Sequence, residues 1–362
     1  MRKLLIAFMF VIALFGIASA DIAYTTTDGK LGLIKIEGPK SPDLAGIQYN
    51  IGANNSVIGS YWDNGQSRLI VISTNGSSDD KALIFNSSGL TTPINSEPIT
   101  LTGAKNVRKI LSTSTGKGFY LIYGASIQEF ATENFAPLDR KYTSSGDIDI
   151  MDAVIRGVEV YVLVDDSILV FDGQLKDSGK NYEKYSVAEG SEMLAYISGV
   201  GILIGHKNGV QVLSSEAIDF LTTRAPIKSI CGDNSSGFYY ITQDVSDDVY
   251  QNTLYHYNGA NTDEILNFEG EIAELILDTN YDVLAVIASD KIQLYNIEND
   301  TALVTEYSSA DLGGNPHKLA GTTITGETQK KDGSCNLSGL GILLALCFAI
   351  IVRNHNSILE GR

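Results

Sequence analysis

The chain of 362 residues contains three cysteines, four histidines, one tryptophan and seven prolines, and each scarcity excludes something. Cys335 and Cys347 lie at or inside a hydrophobic C-terminal stretch, so only Cys231 belongs to the main body. That body can have no internal disulfide, and its core and strand ladders must hold it together. Cys231 falls in the apolar run Ser229-Ile230-Cys231 and reads as a buried, inert thiol rather than a nucleophile. The histidines, His206, His256, His317 and His355, show no metal-ligand spacing such as His-x-x-x-His. His206, in Gly205-His206-Lys207-Asn208-Gly209, has the surroundings of a solvated turn residue, whereas His256 alternates with Tyr255 and Tyr257 as a residue packed between sheets would. No catalytic residue, cofactor site or metal site is assigned.

Positive charge is also short: 26 Lys and Arg stand against 43 Asp and Glu, a net charge of −17. A field of that sign repels nucleic acid and anionic headgroups, so no nucleic-acid partner is expected. Gly199-Val200-Gly201 lacks the downstream Gly, Lys and Ser or Thr of a phosphate loop and reads as hairpin punctuation. The acidic pieces Ser78 to Asp80, Asp165-Asp166 and Ser246 to Asp248 lack the alternating Asp-x-Asp-x-Asp-Gly loop of a calcium site.

Long apolar runs occur only at the two ends. Residues 1–20 have Arg2 and Lys3, then an uncharged stretch from Leu4 to Ile17, then Ala18-Ser19-Ala20. This is the layout of a secretory signal, with cleavage expected between Ala20 and Asp21. Residues 326–334 are a polar linker, residues 335–353 a short hydrophobic segment ending in Arg353, and residues 354–362 a tail. The apolar part, Leu337 to Val352, would reach about 24 Å as a helix, short of the ~30 Å hydrocarbon core.

Between Asp21 and Thr325 helical periodicity is nearly absent. Apolar strand pairs recur instead, each bounded by Gly, Asn, Asp or Ser. Leu69 to Ile72 precedes Lys81 to Phe85, Phe119 to Tyr123 precedes Ser126 to Phe130, and Tyr161 to Val164 precedes Ser167 to Phe171. Ile202 to Ile204 precedes Gly209 to Leu213, Phe238 to Ile241 precedes Thr253 to Tyr257, and Val283 to Ile287 precedes Lys291 to Tyr295. The ends of the second strands, Phe85, Phe130, Phe171, Leu213, Tyr257 and Tyr295, are 45, 41, 42, 44 and 38 residues apart. Each unit has room for an inner strand before the pair, such as Val107 to Leu111, Asp149 to Ile155 or Ile272 to Leu277, and for a more polar outer strand after it. A seventh pair, Ile22 to Thr26 and Leu31 to Ile36, turns through Asp28-Gly29.

A period of 40 to 45 residues with four strands per unit resembles the blades of a β-propeller. The resemblance implies an all-β, seven-bladed β-propeller over residues 21–325, with a six-bladed ring plus an N-terminal extension as the alternative. An N-terminal signal helix and a C-terminal hydrophobic helix would flank it. The first unit lacks an inner strand and the far end offers a spare stretch, His317 to Thr325, so the C-terminal strand is expected to complete the N-terminal blade. No blade motif identifies a particular propeller family: Gly-His and Trp-Asp dipeptides do not recur, and Trp62 stands alone.

At the other end, Gly333-Ser334-Cys335-Asn336 with Gly339, the apolar stretch and Arg353 resemble bacterial C-terminal sorting signals of the Synergistetes type. The resemblance implies processing near Cys335 and attachment to the cell surface, with a simple tail anchor as the alternative. The expected processing residues are Ala20, Asp21, Gly333, Ser334, Cys335 and Asn336. The expected location is the cell surface, outer membrane or periplasm of a Gram-negative-type bacterium, with membrane contact through the C-terminal segment before or instead of processing.

The expected function is a binding or scaffold module for an unknown protein or glycan ligand, carried on rim loops at one end of the ring. The alternative is a glycan-active hydrolase or lyase with carboxylates at the central channel, for example Asp149 with Glu274, within roughly 5–10 Å of each other.

Overall fold

The structure is a computed structural model that describes residues 20–321, apart from short segments at 37–41, 53–55, 64–67, 76–77, 87–88, 96, 113–117, 173–174, 176–181, 234–236, 279–281 and 298–301. The signal segment up to residue 19 and the C-terminal segment from residue 322, with Gly333, Ser334, Cys335 and Asn336, lie outside the described residues. Among the described residues no helix is long and apolar enough to cross a membrane.

The strands form seven antiparallel sheets, and the ring is seven-bladed. Blade 2 comprises Ser56–Asp63, Arg68–Thr74, Lys81–Asn86 and Gly89–Pro93, with Ile99–Thr100 also pairing on Lys81–Asn86. Blade 3 comprises Val107–Ser112, Gly118–Tyr123, Ser126–Ala131 and Pro137–Thr143, and blade 4 comprises Ile150–Arg156, Glu159–Val164, Ser167–Asp172 and Glu183–Ser186. Blade 5 comprises Ser191–Ile197, Gly201–His206, Gly209–Leu213 and Ala217–Thr222. Blade 6 comprises Ile227–Gly232, Phe238–Ser246, Val249–Tyr257 and Thr262–Glu269, and blade 7 comprises Ile272–Asp278, Val283–Ala288, Lys291–Asn296 and Ala302–Ser308. The strand pairs read from the sequence are the second and third strands of every blade.

Blade 1 joins the two ends of the ring. Its inner strand is the C-terminal Pro316–Gly321, followed by Ala20–Thr26, Lys30–Ile36 and the outer Pro42–Asn50. Ile22 pairs with Gly321, Ala23 with Ala320 and Tyr24 with Leu319. An open ring would leave a row of unpaired backbone groups, and this closure removes it. Ala20 and Asp21, the expected cleavage junction, are the first residues of the second strand, opposite Ile36 and Lys35.

The core is divided in the way the ring requires. The second strands are apolar on both faces, as in Arg68–Thr74 and Val283–Ala288, because each lies between two neighbouring blades. Seven hydrophobic clusters result, one at each inter-blade junction. Tyr24, Ile34 and Ile36 of blade 1 pack with Ala285, Ile287 and Leu294 of blade 7, and Phe119 and Phe130 of blade 3 pack with Ile70 and Ile84 of blade 2. The remaining five join blades 3 and 4, 1 and 2, 6 and 7, 5 and 6, and 4 and 5. Phe85, Phe119, Phe130, Phe171 and Phe238 are fully buried, so these aromatics are wedges between sheets rather than a stacking face for sugars. Cys231 is buried in the blade 6–7 cluster, where desolvation pushes its thiol above the ordinary value and makes it inert.

Candidate functional site

Antiparallel pairing places the start of each inner strand, the turn between second and third strands, and the end of each outer strand at one end of the ring, here called the upper end. At this end all seven inner strands carry the same irregularity. Pairing with the second strand skips one residue: Ile58 in blade 2, Arg108 in blade 3, Met151 in blade 4, Glu192 in blade 5, Lys228 in blade 6, Ala273 in blade 7 and His317 in blade 1. Each is a β-bulge, which interrupts the ladder by one residue and sharpens the local twist. Arg108, Met151, Glu192, Lys228 and Ala273 are exposed and His317 is half-buried; the inner-strand starts that carry the bulges surround the ring axis at this end, here called the mouth.

Several mouth residues tie one blade to the next. The Arg108 guanidinium donates to the Ile150 carbonyl at 2.6 Å and to the Gly124 carbonyl at 2.9 Å, and pairs with Asp149 at 3.4 Å. Lys109 Nζ lies 2.7 Å from Asp152 Oδ1, while Asp152 Oδ2 accepts from the Leu194 backbone N–H at 2.8 Å, so Asp152 of blade 4 holds both blade 3 and blade 5. Lys318 of blade 1 pairs with Glu274 of blade 7 at 2.9 Å. The His317 ring hydrogen-bonds the Val57 backbone in blade 2, and desolvation lowers its pKa. Asp149 and Glu274 therefore belong to different ion pairs at different junctions, and the structure does not bring them together as a carboxylate pair.

Around the mouth stand the turns between second and third strands. Asp28 is in the turn of blade 1, Asp79 in that of blade 2, Asp165 and Asp166 in blade 4, Asp247 and Asp248 in blade 6, and Asp290 in blade 7. All are exposed except Asp79, which is half-buried. Blade 5 has Lys207-Asn208 at this position and blade 3 has Gly124-Ala125. Aspartate suits such turns because its short polar side chain tolerates positive φ, as at Asp165, Asp247 and Asp248. The three acidic pieces noticed in the sequence are three of these turns. Among the described residues no group of three or more His, Cys, Asp or Glu is arranged to hold a metal ion.

The fold is shared with proteins of unrelated sequence. A 6-phosphogluconolactonase candidate from Bacteroides uniformis superposes with a TM-score of 0.63 at 10% identity, over 84% of this chain and 99% of that one. A functionally unknown protein from Desulfotomaculum acetoxidans gives a TM-score of 0.57 at 11% identity, over 83% and 100% of the two chains. The C-terminal WD40 domain of Sif2 gives 0.51 at 9% identity, over 86% and 84%. No protein-family model matches the sequence, and no curated protein does. At these identities the likeness is one of fold.

Of the histidines, His206 differs from its sequence reading, whereas His256 stacks on a residue of the blade 6–7 cluster. His206 is not a solvated turn residue: it ends the second strand of blade 5, opposite Ser191 and Gly209, and is buried. Desolvation lowers its pKa, its Nδ1 accepts from the Asn208 N–H at 3.3 Å, and its Nε2 is buried with no hydrogen-bond partner. His256 is held within blade 6, where its ring stacks on Tyr239 at 4.4 Å between centroids and its Nε2 lies 2.8 Å from Asp233 Oδ2. This pair is at the lower end, away from the mouth.

Proposed function

We propose that the protein is an exported β-propeller that binds or scaffolds a partner protein on its upper face, and that the partner presents a basic segment. The observation behind the proposal is the rim of turns, in which five of the seven blades place Asp beside the channel mouth. In a chain of net charge −17, such a rim attracts cationic groups and steers them during encounter. Exposed Ile148 and Met151, near the start of blade 4, add apolar contact area within the charged surroundings, the mixture common at protein interfaces. Export rests on the signal-like residues 1–20, and surface attachment on the Synergistetes-like segment around Cys335.

The test has two readouts. Fractionation of cells making the tagged protein, with mass analysis of both ends, is expected to place it outside the cytoplasm with Asp21 at its N-terminus and a C-terminus near Cys335. An array of synthetic peptides probed with the labelled protein is expected to retain it on lysine-rich sequences, with binding that weakens as salt rises and when the rim aspartates are changed to asparagine. Cytoplasmic protein would overturn export, and retention indifferent to peptide charge would overturn the binding reading.

A further inference from the structure

Blade 6 stands out at the upper end for the length of its two central strands. In blade 6 the second and third strands, Phe238–Ser246 and Val249–Tyr257, have nine residues each, whereas the corresponding strands elsewhere have five to seven. The extra length is a two-stranded ribbon: Asp244 pairs with Gln251, Val245 with Tyr250 and Ser246 with Val249, closed by Asp247-Asp248 at positive φ. The inner strand of blade 6 pairs only as far as Thr242, and the Gln243 N–H then bonds the Pro226 carbonyl. Beyond that point the ribbon edge facing the ring axis has no neighbouring strand among the described residues. At about 3.3 Å per residue, Gln243 to Ser246 carries this edge about 10 Å past the blade.

Exposed strand edges are normally blunted with Lys, Pro or a covering segment, because they invite another strand. This one carries neither Lys nor Pro: residues 244–252 contain no Lys, Arg or Pro, and the charges they do carry are all negative, which leaves a cationic strand as the one not repelled. Val245 and Val249 are 54% and 45% exposed, and Asp244, Asp247 and Asp248 supply three carboxylates. Beneath the ribbon, Gln243 Nε2 donates to Asn252 Oδ1 at 2.8 Å, and Asn252 Nδ2 donates to the Gly270 carbonyl at 2.8 Å. Both amides are buried, so the ribbon stands on a fully bonded base.

We propose that this ribbon is the docking arm of the upper face, adding an extended basic segment of a partner protein as a third strand along its axial edge. This placement rests on the binding reading above: main-chain bonds would come from the open edge, apolar contact from Val245, which shares a face with Tyr250, and charge complementarity from the three aspartates. Lysine alternating with a β-branched residue is the pattern that fits, since alternate side chains of a strand face opposite ways.

The test uses the full chain and a fluorescein-labelled ten-residue peptide of alternating Lys and Val, read by fluorescence anisotropy. In one variant Asn-Gly replaces Asp244–Gln251, closing the hairpin on the Gln243–Asn252 pair with a favoured two-residue turn. In another, Asp247→Asn and Asp248→Asn keep the ribbon and the turn conformation while removing charge. The shortened hairpin is expected to weaken binding tenfold or more and the Asn variant several-fold, with an unchanged urea midpoint. Equal affinity for the native and shortened proteins would overturn the docking arm and leave the acidic-face reading standing. Failure of the peptide to bind the native protein would overturn both. A native dimer that becomes monomeric on shortening would mean that a second copy of this chain covers the edge, and would overturn the basic-partner assignment.

Discussion

The ring of Tyr24 lies across Gly32, its cross-strand partner in blade 1, so closely that a Cβ at Gly32 would fall 2.1 Å from Tyr24 Cζ. Glycine here is a packing requirement: the Tyr24 ring fills the space that a side chain on Gly32 would occupy, within the cluster joining blade 1 to blade 7. Gly32→Ala should therefore push the ring out of place and cost about 1–3 kcal/mol. The Tyr24 hydroxyl is buried with no partner, and its pKa is pushed up to about 12 by desolvation. Tyr24→Phe should accordingly be neutral or stabilising, because an unpaired buried hydroxyl contributes only its desolvation cost. Urea midpoints of the two variants check both signs.

Asp152 joins three blades, and its removal should cost more than removal of its cationic partner. Asp152→Ala strands the buried Leu194 N–H and removes the ion pair with Lys109, which should cost about 1–3 kcal/mol. In Lys109→Ala the carboxylate keeps the Leu194 and Ala153 N–H donors, and the lysine it loses is already partly solvated, so the loss should be smaller. Chemical denaturation of the two variants gives the order directly.

Acid should weaken the ring through His206. Its folded-state pKa lies below the ordinary 6.5 because burial disfavours the charged form, Asp219 only partly opposing this and Lys207 reinforcing it. The unfolded chain therefore takes up the proton first. The contribution of neutral His206 is fully present above 6.5 and is lost as pH falls through the unfolded value toward the folded one. Val164 occupies the matching strand-end position in blade 4, so His206→Val should flatten the decline between pH 7.5 and pH 5. Urea midpoints across that range test it, with His317, also lowered by desolvation, as the source of any remaining slope.

The blade pairs were legible because second strands must be apolar on both faces, and Arg68–Thr74 or Val283–Ala288 cannot satisfy that anywhere but between two sheets. The closing strand was legible for a related reason: the first unit lacked an inner partner and the end of the chain had one to spare. The bulges were not legible. Ile150, Met151 and Asp152 read as ordinary alternation, and only pairing with Val164 and Leu163 shows that Met151 is skipped. The blade 6 ribbon was missed because Asp244 to Gln251 has the composition of a polar loop, and its strand character comes from a two-residue turn that lets the flanking segments pair. His206 was misplaced by one residue of strand, the difference between a turn exposed to water and a position under the neighbouring ladder.

The ring closed by its own C-terminal strand is the claim on which the upper face, its rim and the ribbon all depend. Cysteines introduced at Ala23 and Ala320, directly opposed across the closing strands, test it most directly. After mild oxidation of the folded protein, the account predicts that mass analysis of a digest will recover the 23–320 peptide pair within one chain, and that the urea midpoint will rise. Recovery of pairs only between different chains, or none at all with the fold intact, would contradict it.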